Sequence, residues 1–108
     1  MEMRTYTLAD DGALQRYVST FWPRHIQSLQ KYGITVHGVW IEQSSGDRRV
    51  VALVGYRPGE DPRHLAESYR NSVDFVDDHA NFDIELITST HTVRLDPIPS
   101  SPLRWDRH

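Results

Sequence analysis

The chain has 108 residues, no cysteine and a formal charge of −3, with its twelve Lys and Arg scattered along the length. That is enough for one hydrophobic core and too little for two. It excludes a disulfide framework, a thiol nucleophile and a Cys-ligated metal, and the scattered basic residues argue against a surface for nucleic acid or an anionic membrane. Residues 1–6 hold no apolar run of signal-peptide or membrane-span type, and with the missing cysteines this points to a cytoplasmic protein.

In chain order, residues 2–8 predict a first strand, rich in Tyr, Thr and Leu. Asp10 or Asp11 can cap a helix running from about Gly12 to Tyr32, which Gly33 ends. Leu14, Tyr17, Val18, Phe21, Trp22, Leu29 and Tyr32 form its apolar stripe. Pro23 removes the hydrogen bond to the Ser19 carbonyl and should kink or split the helix. Residues 36–56, VHGVWIEQSSGDRRVVALVGY, read as a hairpin turning at Ser44–Asp47. Asp61 followed by Pro62 starts a second helix, with an apolar stripe of Leu65, Tyr69, Val73 and Val76 and an interruption near Asn71–Ser72. A last strand is expected from about Ile84 to Leu95. Residues 1–96 are thus one domain, and 97–108 (PIPSSPLRWDRH) a proline-rich tail expected to dock through Leu103 and Trp105.

The order β-α-β-β-α-β is that of an α+β, ferredoxin-like sheet with both helices on one face. The third strand, Val50 to Tyr56, is apolar on both faces. Two helices cover only one of them, so the expected cover for the other is a second copy of the chain, in a homodimer.

The segments MRTYTL, HGVWIEQSSGDRRVVALVGY and PIPSSPL resemble the NIPSNAP family of the dimeric α/β-barrel superfamily. The resemblance implies the fold and the dimer. Where the family usually carries a polar Asn-type residue before the third strand and a His and a Trp within it, this chain has Arg48 or Arg49, Ala52 and Val54. The superfamily includes cofactor-free monooxygenases, cyclases and isomerases as well as haem enzymes.

The chain has six histidines, and their positions are not equivalent. His25 falls near the centre of the first helix's apolar stripe, one turn from Phe21 and from Leu29. A buried imidazole there needs a Tyr hydroxyl, a backbone carbonyl or a ligand. His37 shares a strand face with Val39 and Ile41, opposite Gly38 and Trp40, and His91 lies on a last strand polar on both faces. His79, in VDDHANFD, resembles the histidine segment of cofactor-free cyclases, where such a residue acts as a base beside a tyrosine; Asp77, Asp78 and Asp83 could orient it. Tyr6, Tyr56 and Tyr69 are the candidate hydroxyl partners. Trp22 and Trp40 could line a cavity for a flat apolar ligand, although aromatic residues in such positions usually build core.

The reading is a homodimer that binds a small hydrophobic or aromatic molecule. Cofactor-independent proton transfer would be carried by His25 or His79 with Tyr56, and Tyr6, Trp22, His37, Trp40, Tyr69 and His91 would line the site. No cofactor and no metal is expected: Asp77, Asp78 and His79 are adjacent rather than helically spaced, and phosphate-loop and HExxH motifs are missing. The alternative is a non-catalytic homodimeric interaction protein.

Overall fold

A computed structural model describes residues 1–44 and 46–103. The elements are β1 (Glu2–Leu8), α1 (Asp11–Arg16), a π-helical turn (Tyr17–Phe21), α2 (Trp22–Gln30), β2 (Ile34–Ile41), β3 (Arg49–Tyr56), α3 (Pro62–Arg70), α4 (Val73–Asp78), a 3₁₀ turn (Ile84–Leu86) and β4 (Ile87–Arg94). The four strands form one antiparallel sheet in the order β2-β3-β1-β4, so the first and third strands are central as the ferredoxin-like arrangement requires.

Asp10 caps α1 by accepting from the Ala13 N–H at 2.7 Å. The helix is divided at Pro23: a π turn separates α1 from α2, whose first turn holds the proline, and the Trp22 N–H donates to the Tyr17 carbonyl five residues back. This π turn absorbs the missing proline donor and inserts one residue into the helical phase. Phe21 and Trp22, consecutive in sequence, are therefore both buried. Gly33 ends α2 at φ 79°, where a Cβ would also meet the Arg57 guanidinium at 3.0 Å.

The second helix is two helices. Ser72 caps α4, accepting from the Phe75 N–H at 3.2 Å, and the break re-aims the chain. Leu65 and Tyr69 stay inside, but Val73 and Val76 are turned outward and Phe75 and Asp78 take the inner positions. The expected stripe therefore holds for α3 and fails for α4. The last strand starts three residues later than expected because Asp83 caps the 3₁₀ turn.

On β3, Val50, Ala52 and Val54 point at the helices and are fully buried. Each valine contributes about 1.5–3 kcal/mol by leaving water. Val51 and Leu53 face the other way and are only half-buried. Their cross-strand neighbours Thr5, Met3 and Trp40 share that open face.

The tail leaves β4 beside Met1, whose carbonyl accepts from the Leu95 N–H at 2.8 Å. Leu95, Pro97, Ile98 and Leu103 then enclose, with Met1 and Leu53, an apolar hollow of about 340 Å³. Leu103 is one wall of that hollow and stays 47% exposed; Trp105 and His108 lie outside the described residues.

Candidate functional site

The space between helices and sheet divides into a closed half and an open end. In the closed half Tyr6, Tyr17, Phe21, Trp22 and Phe82 interlock with ring centroids 4.9–6.1 Å apart. Tyr17, Phe21, Trp22 and Phe82 are no more than 5% exposed. These rings are core, and the indole N–H of Trp22 is buried with no hydrogen-bond partner.

Next to them lies a buried polar knot. The Asp78 side chain, wholly buried at the end of α4, receives four donors. Tyr69 donates to Oδ2 at 2.6 Å, Ser28 to Oδ1 at 2.8 Å, and Arg24 Nε to Oδ1 at 3.1 Å. His25 Nδ1 is 3.2 Å from Oδ2 and 2.9 Å from the Tyr69 hydroxyl oxygen. Because the Tyr69 proton goes to the carboxylate, Nδ1 carries the imidazole proton and Nε2 is the unprotonated nitrogen. Burial pushes the His25 pKa down to about 4, against the hydrogen bond and charge of Asp78, which raise it. The imidazole is neutral at pH 7. Burial also raises the Asp78 pKa, but the bonds from Tyr69, Ser28 and His25 outweigh it and hold the carboxyl below its ordinary value. The knot ties α2, α3 and α4 together.

His25 thus has the buried position and the tyrosine partner that the helical stripe suggested. His79 does not have the expected partners. Its Nδ1–H donates to the Phe75 carbonyl one turn back at 2.7 Å, and its ring packs on Phe75 and Phe21 at 4.2 and 5.0 Å. The carboxylates expected to orient it are used elsewhere: Asp78 on His25, Asp77 on Arg24 at 3.3 Å, and Asp83 on the 3₁₀ turn. Sequence reasoning missed Asp78 as the partner of His25. The signal was on α2, where Arg24, His25 and Ser28 fall on one helical face and together call for a buried acceptor.

The open end holds Tyr56. Its hydroxyl donates to Glu2 Oε1 at 2.7 Å and accepts from Arg4 Nη2, while Arg4 Nε reaches the same Glu2 oxygen at 3.1 Å. Burial keeps the phenol protonated, with its pKa pushed up to about 12 in spite of the Arg4 charge. Above this cluster is a cleft of about 420 Å³, walled by Glu2 and Tyr56 below, Arg57, Pro62 and Arg63 toward α3, and Arg94 at the end of β4.

The other predicted residues lie apart. His37 is the extra residue of a β-bulge between Val36 and Gly38 on the edge strand, with Nε2 buried and unpartnered. Trp40 and His91 are on the open sheet face, His91 in a shallow polar hollow with Thr5, Arg49 and Ser89. Within one chain, then, the nine candidates occupy four places: His25, Tyr69, Trp22, Tyr6 and His79 between the layers, Tyr56 at the cleft, His37 at the bulge, and Trp40 with His91 on the far face. Among the described residues no group of three or more His, Asp or Glu could hold a metal ion, and no helix is long and apolar enough to cross a membrane.

The fold has known counterparts. A family profile described as NIPSNAP matches residues 1–102. The chain belongs to the NIPSNAP family. It is similar to an uncharacterized NIPSNAP domain protein from Burkholderia xenovorans, at 19% identity and a TM-score of 0.74, covering 94% of this chain and 96% of the other. A NIPSNAP family protein of unknown function from Agrobacterium tumefaciens matches at 17% identity and a TM-score of 0.79, over 95% of this chain and 91% of that one. At these identities the likeness is one of fold. No curated protein matches the chain.

Proposed function

We propose that this NIPSNAP protein is a homodimeric small-molecule-binding protein whose ligand occupies the cleft at Tyr56. The carrying observation is the Glu2–Tyr56–Arg4 cluster at the base of a 420 Å³ cleft. It is a charged, hydrogen-bonded group set where helices and sheet part, rather than on a solvated surface. Trp22 and Tyr6, expected to line a cavity for a flat apolar molecule, are packed into the aromatic core, so the ligand is assigned to the cleft and not to the space between the layers. If proton transfer follows binding, the Tyr56 phenol, which stays protonated, donates a hydrogen bond to developing charge once its proton turns from Glu2 Oε1 to the ligand.

The dimer is supported by the open sheet face, where Trp40 is 53% exposed beside half-buried Val51 and Leu53. Light scattering at micromolar concentration should give twice the chain mass, and Leu53→Glu should halve it; a stable wild-type monomer defeats this part. For the cleft, a fragment panel of neutral and charged molecules is screened by NMR. Hits should shift the resonances of Tyr56 and Arg94, and these shifts should be lost in Tyr56→Ala. A panel that perturbs neither residue removes the cleft as a ligand site.

The second reading, a non-catalytic interaction protein, is favoured by one observation: His25, the most deeply placed histidine, is bonded into the Asp78 knot and serves helix packing there. That reading predicts an empty fragment screen together with a dimer.

A further inference from the structure

The charges around the cleft interleave. The Arg57 guanidinium is held by Glu60 at 2.8 Å, and Arg4 is held by Glu2. Among the described residues four lining side chains make no ion pair: Asp61 and Arg63 at the start of α3, Arg94 and Asp96 at the end of β4. The two signs cancel on each wall, and they alternate in space. Asp61 Oδ1 accepts from the Arg63 backbone N–H at 3.0 Å, so that carboxylate and that guanidinium spring from one turn. Arg94 is the cross-strand neighbour of Glu2, and Asp96 follows it two residues later. The Met1 amino group lies among these three, drawn by Asp96 and Glu2 and repelled by Arg94. At the base, Glu2 Oε1 accepts from both the Tyr56 hydroxyl and Arg4 Nε, and among the described residues Oε2 has no hydrogen-bond partner.

From this we infer that the cleft takes an uncharged polyhydroxylated molecule of monosaccharide size, an inference that rests on the cleft reading above. A carboxylate only accepts hydrogen bonds and a guanidinium only donates them. A hydroxyl does both, so neighbouring hydroxyls on one ring can donate to Asp96 or Glu2 and accept from Arg94. Hydrogen bonds to ionised partners are the stronger kind, and an uncharged ligand has no charge of its own to strip of water. A ligand carboxylate or ammonium set in this cleft meets a like charge beside every opposite one. Pro62 and the Tyr56 ring add apolar surface for the C–H side of a sugar-like ring, and a volume of about 420 Å³ is at the small end for a ligand pocket.

The test uses D-glucose, D-galactose and myo-inositol as neutral probes, with D-glucuronate and protonated D-glucosamine as charged counterparts, on the full-length wild-type protein, Arg94→Gln and Asp96→Asn. Both side chains are exposed, so the variants keep the fold and the melting temperature. Binding is followed at Tyr56 by NMR titration at low ionic strength, up to about 50 mM, which covers the weak affinities of small polar ligands. At least one neutral probe should shift Tyr56, with an affinity about tenfold above those of glucuronate and glucosamine. Each substitution should weaken that probe several-fold. Each should also relax the selection against one charge: Asp96→Asn narrows the gap to glucuronate, and Arg94→Gln narrows the gap to glucosamine. Glucuronate or glucosamine binding the wild type as tightly as the best neutral probe overturns the inference, and so does neutral binding that neither substitution weakens. No shift at Tyr56 from any neutral probe also overturns it; hits in the wider fragment panel would still preserve the cleft itself.

Discussion

The two faces of the sheet are built from the same strands and finished differently. Toward the helices, Val50, Ala52 and Val54 are fully covered and the layer is locked by the Asp78 knot. Away from them, Val51, Leu53 and Trp40 are equally apolar and lie partly open. The alternation of a strand distributes apolar residues to both sides, but only a packed layer turns them into a core. The closed face is completed within the chain by a polar contact; the open face has apolar surface and nothing within the described chain but the tail to cover part of it. Breaking the first should cost folding stability, and breaking the second should cost assembly.

The largest effect is expected at Asp78. Asp78→Ala leaves His25, Tyr69 and Ser28 in a buried site without their acceptor, at a cost of about 3–5 kcal/mol. Thermal unfolding should fall by more than about 10 °C. A loss below about 1 kcal/mol would show that water replaces the carboxylate and that the knot is not what closes this face.

The pH dependence follows from His25 in the same knot. Its native pKa of about 4 lies below the unfolded value near 6.5. Between these values the unfolded chain binds the proton and the native state does not. The stability is therefore complete above about pH 6.5 and is lost as pH falls toward 4, by up to about 3 kcal/mol. Asp78 acts in a separate, lower window, since its pKa is lowered from an ordinary value of 3.8. Urea midpoints at pH 7 and pH 4.5 should separate clearly in the wild type and converge in His25→Phe. An equal decline in the variant would assign the acid sensitivity to other groups.

The contrast between the faces explains what the sequence revealed. Strand order, the apolar β3, the Gly33 stop and the break at Asn71–Ser72 are local signals, written in periodicity and turn residues, and the structure contains each of them. The knot is not local: Asp78 is 50 residues or more from Ser28, His25 and Arg24. Two adjacent aspartates at a helix end read as solvated charge, and only the turn at Ser72 decides that one of them points inward. The phase shift of the π turn was hidden for a similar reason, since Pro23 announces a disturbed helix without saying how it is relieved. The cleft at Tyr56 combines the start of β1, the end of β3 and the end of β4, which no spacing rule connects.

On the open face a moderate effect is expected from the tail. Leu95, Pro97, Ile98 and Leu103 rest beside Met1 and Leu53. Truncation after Asp96 removes part of this cover while leaving the Leu95–Met1 backbone bond. It should lower stability by about 1–2 kcal/mol through the exposed apolar area, seen as a fall of several degrees in the melting temperature. An unchanged melting temperature would mean that the segment lies on the face without covering it.

The smallest change in stability, and the sharpest reading of the open face, comes from Gly38→Ala. Gly38 lies beneath the Trp40 ring on the same side of β2, where an added Cβ would stand 2.5 Å from Trp40 Cζ2. The glycine backbone is not left-handed, so alanine is locally acceptable and even reduces the freedom of the unfolded chain. The obstacle is the ring alone. Because Trp40 is 53% exposed, it can swing aside, and folding stability should change by less than about 1 kcal/mol. Assembly should respond more strongly. A ring displaced from Gly38 stands up from the face that a second copy is proposed to cover, and the dimer dissociation constant should rise about tenfold, equivalent to roughly 1.4 kcal/mol. Sedimentation at several concentrations gives that constant, and the tryptophan emission shifts with the ring. A dimer as tight as the wild type, with the emission moved, would show that Trp40 lies outside the interface and that the second copy, if it covers this sheet, does so nearer Leu53 and the tail.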